Sequence, residues 1–264
     1  GMRRPTGRNV GQCHFFFQTH LGDDIPAGRA THACPALKVP SLTLPASMAP
    51  FAMADVPFAA LGAAFDTDLV RKTGEAVSLR AALDGAAFGG TVPVGIVRTP
   101  TQENNTFGED AIAVSRNVAA FCGDAVVPFV ADEMFCEGID RQFDVRALYE
   151  LYLKPYTDNR ACLGGVIAPI GAVNGSLCAA KPFAGVYDKT RPVFVRGHEL
   201  VDPIAAASGG AFLTLDGAGR DLAAVYGAVR DGKLFEKKLD AVLEPLLARC
   251  VDYNEFRKNQ LPAL

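Results

Sequence analysis

The body of the chain holds a single histidine, His198 in "VRGHELVDP", with Asp202 four residues further on. A histidine beside a carboxylate is what a general base needs, because imidazole exchanges its proton near neutral pH and a fixed partner sets its tautomer. Two other segments gather polar groups more densely than a plain turn requires. "RTPTQENNTFGED" (98–110) contains Arg98, Thr101, Glu103 and Asn104, and "ADEMFCEGIDRQFD" (131–144) contains Asp132 and Glu133. "GAVNGS" (171–176) offers Asn174, and Arg196 stands two residues before His198. These residue types suit acid-base chemistry, with His198, Asp132 and Glu133 moving protons. Arg98, Thr101, Glu103, Asn104, Asn174 and Arg196 would then hold a small anionic or polyhydroxylated substrate. The acids also admit a divalent metal, whose identity the spacing does not specify.

Several other chemistries lack their signatures. No serine stands in a GxSxG elbow, no GxxxxGK[ST] occurs, and no GxGxxG follows a strand, so there is no nucleotide-binding fingerprint. Asp66-x-Asp68 after an apolar run superficially resembles the nucleophile strand of the haloacid dehalogenase-like phosphatases. That resemblance would assign Lys181 or Lys189, then Asp216 with Asp221, to the later slots. The sequence departs from the family's pattern directly after Asp68, where "LVRKTGEAV" reads as helix. Near the N-terminus Cys13, His14, His20, His32 and Cys34 are permitted zinc ligands, but adjacent Cys13 and His14 are badly placed to reach one tetrahedral ion together.

The polar segments need a frame, and the hydrophobic pattern describes one. "VPVGIV" (92–97), "AVVPFVA" (125–131) and "GGVIAPI" (164–170) read as buried strands, with Pro128 pushing the second toward an edge or bulge. Between them, 109–122 and 144–153 read as helices. The first turns Ile112, Val114, Val118 and Phe121 inward, and the second is capped by Asp144 and stopped by Pro155. Strand, helix, strand, helix, strand predicts a parallel α/β unit, in which ligands bind beyond the strands' carboxyl ends. Helix is expected within 66–90, 220–232 and 234–261, the last kinked at Pro245, and strands at 192–196 and 211–215. The expected fold class is therefore α/β: a mixed, largely parallel sheet with flanking helices, glycine-rich irregular β segments between 160 and 202, and C-terminal helices.

Residues 1–47 read as an extension, disordered or upstream of a start at Met48 or Met53, and residues 48–264 as one domain. Arg3, Arg4, Arg8, Arg29 and Lys38 against Asp23 and Asp24 give the extension +3, leaving −6 of the total −3 to the remainder. With no block of like charges, nucleic acid is not an expected partner. Pro128 interrupts an apolar run already far below membrane-spanning length, so no membrane is expected either. Seven cysteines form no CxxC and no framework spacing, which fits reduced thiols in a cytoplasm. The functional expectation is a small-molecule enzyme, cytoplasmic and homo-oligomeric, working by acid-base and conceivably metal-assisted hydrolase, lyase or isomerase chemistry in a polar cleft. The competing expectation is a self-assembling coat, scaffold or shell protein, whose long loops and irregular β segments make subunit contacts.

Overall fold

The computed structural model describes residues 31–34, 39–43, 56–83, 86–97, 106–132, 134, 141–169, 171–180, 183–188, 190–195, 202–213, 224–225, 227–235, 237–242, 244–246 and 248–249. Within the N-terminal extension, strands β1 (Thr31–Cys34) and β2 (Val39–Thr43) form a two-stranded antiparallel sheet of their own. Helices α1 (Phe58–Ala63) and α2 (Thr67–Leu83) follow. Asp66 starts α2: its Oδ1 accepts the N–H groups of Asp68 and Leu69, both at 3.0 Å, where the first turn has no internal partner. Asp68 pairs with Lys72 and Arg71, which hold its carboxyl down to about 2. The Asp-x-Asp pair thus opens a helix that buries one face, as the apolar spacing of "LVRKTGEAV" requires.

Five strands make the central sheet. They are β3 (Thr91–Pro93), β4 (Val130–Asp132), β5 (Gly165–Ile167), β8 (Val193–Val195) and β9 (Phe212–Leu213), hydrogen-bonded in that order and parallel at every pairing. The three strands expected in one parallel sheet are its first three. β4 is shorter than 125–131, because Pro128 has no N–H for the ladder and the chain joins the sheet only beyond it. There Val130 N–H donates to the Gly90 carbonyl at 2.9 Å. A separate hairpin, β6 (Ala172–Val173) and β7 (Ser176–Leu177), lies between β5 and β8.

The crossover from β3 to β4 carries α3 (Ala111–Gly123). Asp110 caps it, its Oδ1 accepting the Ala113 N–H at 2.7 Å. Ala111, Val114, Val118 and Phe121 point inward at helical spacing, but Ile112 lies off that stripe and is half exposed. The next crossover is one helical rod in three parts: α4 (Val145–Ala147) capped by Asp144, a wider π-turn at Leu148–Tyr152, and α5 (Lys154–Asn159). Pro155 does not stop the helix as expected. It occupies the first turn of α5, where its missing N–H has no partner to lose. Asp202 caps α6 (Pro203–Gly209), which leads into β9. Further helical backbone recurs at 224–225, 227–230, 237–242, 244–246 and 248–249.

Each new strand is added on the same side of its predecessor, and helices α2, α3 and α5 pack side by side against the sheet. Val92, Val94, Ile96, Ala131, Val166, Val193 and Val195 face those helices, together with Phe121, whose ring meets Phe58 and Phe129. The alternate residues Val130, Ile167 and Phe194 face the other way, onto Phe88, Val127 and Leu246. The period of two along each strand thus separates a helix-covered face from a second apolar face.

Candidate functional site

Asp132 is the last residue of β4, only 7% exposed. By the alternation along β4 its side chain belongs with Val130, on the face turned away from α3. Parallel register sets it level with Pro93 on β3, and the same register carried one residue further brings Ile167 on β5 and Phe194 on β8 into the row. A carboxyl group thus interrupts an otherwise apolar row at the sheet's carboxyl end. Its backbone is fixed there, with the Asp132 carbonyl accepting the Val94 N–H at 2.8 Å. Met134, two residues on, is fully buried.

Asn174 sits after β5, the neighbouring strand, in the turn of the β6–β7 hairpin. Asn174 and Gly175 both have left-handed backbones, φ 49° and 75°, the two-residue turn that Asn-Gly favours because it matches the strands' twist. Its exposed side chain clasps one residue across the turn: Oδ1 accepts the Phe143 N–H at 2.8 Å, and Nδ2 donates to the Phe143 carbonyl at 3.0 Å. Arg141 N–H donates to the Ala172 carbonyl and Asn174 N–H to the Arg141 carbonyl, both at 2.9 Å. The segments leaving β4 and β5 are thereby tied together. The dipeptide Asn-Gly between short apolar pairs is the standard signal of such a hairpin, which the expectation of irregular β segments over 160–202 did not specify.

The remaining site residues, Arg98, Thr101, Glu103, Asn104, Glu133, Arg196 and His198, lie outside the described residues, as do Lys181, Lys189, Asp216 and Asp221 of the phosphatase-like pattern. In sequence, the first four follow β3, Glu133 follows Asp132, and Arg196 and His198 follow β8. The described residues flanking the first group meet, since Val97 N–H donates to the Gly108 carbonyl at 2.9 Å. The chain therefore departs and returns at one point beyond β3. Among the described residues no three of His, Cys, Asp and Glu gather closely enough to hold a metal ion, and no helix is long and apolar enough to cross a membrane.

No family model and no curated protein sequence matches this chain. Solved structures do, at the level of fold. β-Glucosidase from Kluyveromyces marxianus superposes with a TM-score of 0.63 at 18% identity, covering 89% of this chain and 30% of the enzyme. β-Glucosidase 3B from Thermotoga neapolitana, in complex with glycerol, gives 0.66 at 16% identity over 89% of this chain and 39% of its own. The Listeria innocua β-glucosidase in complex with glucose gives 0.63 at 20% identity, with 78% and 34% covered. This chain therefore spans 30–39% of the length of these three structures. All three are hydrolases, and the self-assembling alternative gains no support from them.

Proposed function

We propose that the chain is a hydrolase of small glycosides, acting beyond the carboxyl ends of its parallel strands. The observation that carries this reading is Asp132: a carboxyl group on a fixed strand end, 7% exposed, in a row of apolar side chains. Polar segments follow the carboxyl ends of β3, β4, β5 and β8, which is where open parallel sheets bind ligands. The β-glucosidase likeness supports a sugar as the ligand.

Hydrolysis of a glycoside needs a proton for the leaving oxygen, an activated water and negative charge near the anomeric carbon as it turns cationic. Asp132 or Glu133 supplies the proton to the leaving oxygen, and the other carboxylate faces the developing positive charge. His198 takes the proton of the attacking water. The C–O bond to the leaving group breaks, a new C–OH forms, and the two proton transfers balance. Arg98, Thr101, Glu103, Asn104 and Arg196 hold sugar hydroxyls, and Asn174 keeps the hairpin wall in place through Phe143. A divalent metal bound by the acids would serve the same charge at the reacting centre.

The test is a panel of 4-nitrophenyl glycosides followed by nitrophenolate release, with melting against glucose and glycerol as the binding readout. Turnover of at least one glycoside is expected. Asp132→Asn and His198→Ala should each lower it by at least about 100-fold, the scale of a lost acid-base group, with melting temperatures near that of the unaltered chain. No hydrolysis of any glycoside, together with no stabilisation by either ligand, overturns the reading.

A further inference from the structure

At the amino-terminal end of the sheet, opposite the strand ends where Asp132 lies, two thiols are neighbours. Cys122 lies in the last turn of α3, just before the chain enters β4, and is 4% exposed. Cys162 lies in the turn after α5, just before β5, and is half-buried. Helices α3 and α5 pack on one another, and Cys162 packs against the core that contains Cys122. The two thiols lie close enough for each to be the leading influence on the other's proton. When Cys162 is neutral its own S–H is directed at the Asn159 carbonyl, 3.0 Å away. Arg191, which donates to the neighbouring Ala161 carbonyl at 3.0 Å, adds positive charge on the exposed side. A buried thiol beside a more accessible one, with a guanidinium nearby, is the arrangement of a resolving and an attacking cysteine.

We propose that Cys122 and Cys162 are a reversible two-electron redox pair that closes to a disulfide on reaction with a peroxide. The Cys162 thiolate attacks the distal oxygen of hydrogen peroxide, forming a sulfenic acid and releasing hydroxide, which takes up a proton as water. The Cys122 sulfur then attacks the Cys162 sulfur, the S–O bond breaks, and the Cys122 proton leaves with the departing oxygen as a second water. Two thiols and one peroxide thus give one disulfide and two waters, and a dithiol reductant reverses the change. The bond would join the chain between α3 and α5 at the end of the sheet opposite Asp132. Its effect therefore falls on how firmly these helices are held and not on chemistry at the strands' carboxyl ends.

Cysteines at 13, 34, 136, 178 and 250 supply internal competitors. The full chain, reduced and then treated with equimolar hydrogen peroxide, should lose about 2 Da, the mass of the two hydrogens removed. Tandem mass spectrometry of a non-reducing digest should place the bond between Cys122 and Cys162. The melting temperature should rise on oxidation and fall back with dithiothreitol, and Cys122→Ala and Cys162→Ser should each abolish that rise. Oxidation of Cys162 to sulfinic acid without a cross-link, or cross-links spread over the other cysteines, overturns the proposal. Because the peptide map of the unaltered chain decides between these outcomes, a variant that fails to fold does not.

Discussion

The hydroxyl of Tyr187 is fully buried, with no hydrogen-bond partner among the described residues, its ring packed on Phe183 and Tyr156. A buried hydroxyl left unpaired costs about 1–3 kcal/mol, so removing it while keeping the ring should stabilise the protein. Tyr187→Phe is expected to raise the melting temperature by a few degrees, at about 2–4 °C per kcal/mol for a chain of roughly this size; scanning calorimetry checks it. Burial also pushes the hydroxyl of Tyr187 up, and that of its neighbour Tyr156 up to about 12. The unfolded chain ionises these groups near pH 10. Their contribution to stability is therefore complete below about pH 10 and is lost as pH rises toward 12, because the unfolded state releases its protons first. Ultraviolet titration of the six tyrosines should show two ionising late, in step with loss of fold. At the other edge of this core, the Cys122 thiol holds Cys162 down to about 7, and Cys162's own backbone N–H and Arg191 act in the same direction. Alkylation of Cys162 by iodoacetamide should be half-maximal near neutral pH, and Cys122→Ser should weaken that preference.

Between helices the narrowest tolerance is at Gly74. A Cβ there would run into the backbone carbonyl of Phe121, so α2 and α3 approach as closely as they do only because residue 74 has no side chain. Backbone cannot rotate aside as a side chain can, and overpacking a tight contact costs about 1–3 kcal/mol. Gly74→Ala should therefore lower the melting temperature despite the better helix propensity of alanine. An unchanged or raised value would mean that the two helices can part without penalty. The Asn174 clasp is the second element-scale contact. Asn174→Ala removes both hydrogen bonds to Phe143 and places a residue with little liking for left-handed backbone at φ 49°. At about 1 kcal/mol per hydrogen bond, a loss of a few degrees is expected. Asn174→Gly should recover part of it, because glycine restores the turn but not the clasp.

Over the whole molecule, the parallel sheet was legible because its strands are buried on both faces and write themselves as unbroken apolar runs, while α3 shows a clean stripe from Ala111 to Phe121. The ends of the elements were harder to read. Pro128 delays β4, and Pro155, which reads as a stop, is tolerated in the first turn of α5. Asp132 stands out in the sequence as an acid following an apolar run, but nothing in "FVADEM" announces that its carboxyl group interrupts an apolar row across the sheet. The clasp of Asn174 on Phe143 and the meeting of Cys122 with Cys162 join residues 31 and 40 positions apart, a separation at which sequence pattern carries no pairing information. The N-terminal extension gives a test of domain organisation at the same scale. β1 and β2 pair only with one another and share no strand with the five-stranded sheet. Among the described residues, the fully buried side chains that cover both faces of that sheet run from Leu61 onward, with Val56 and Phe58 packed against them. Deleting residues 1–45 should therefore leave the cooperative melt intact, within about 5 °C of the full chain, a tolerance of one to two kcal/mol at this size. A larger fall, or an insoluble product, would make the extension part of the domain rather than an appendage to it.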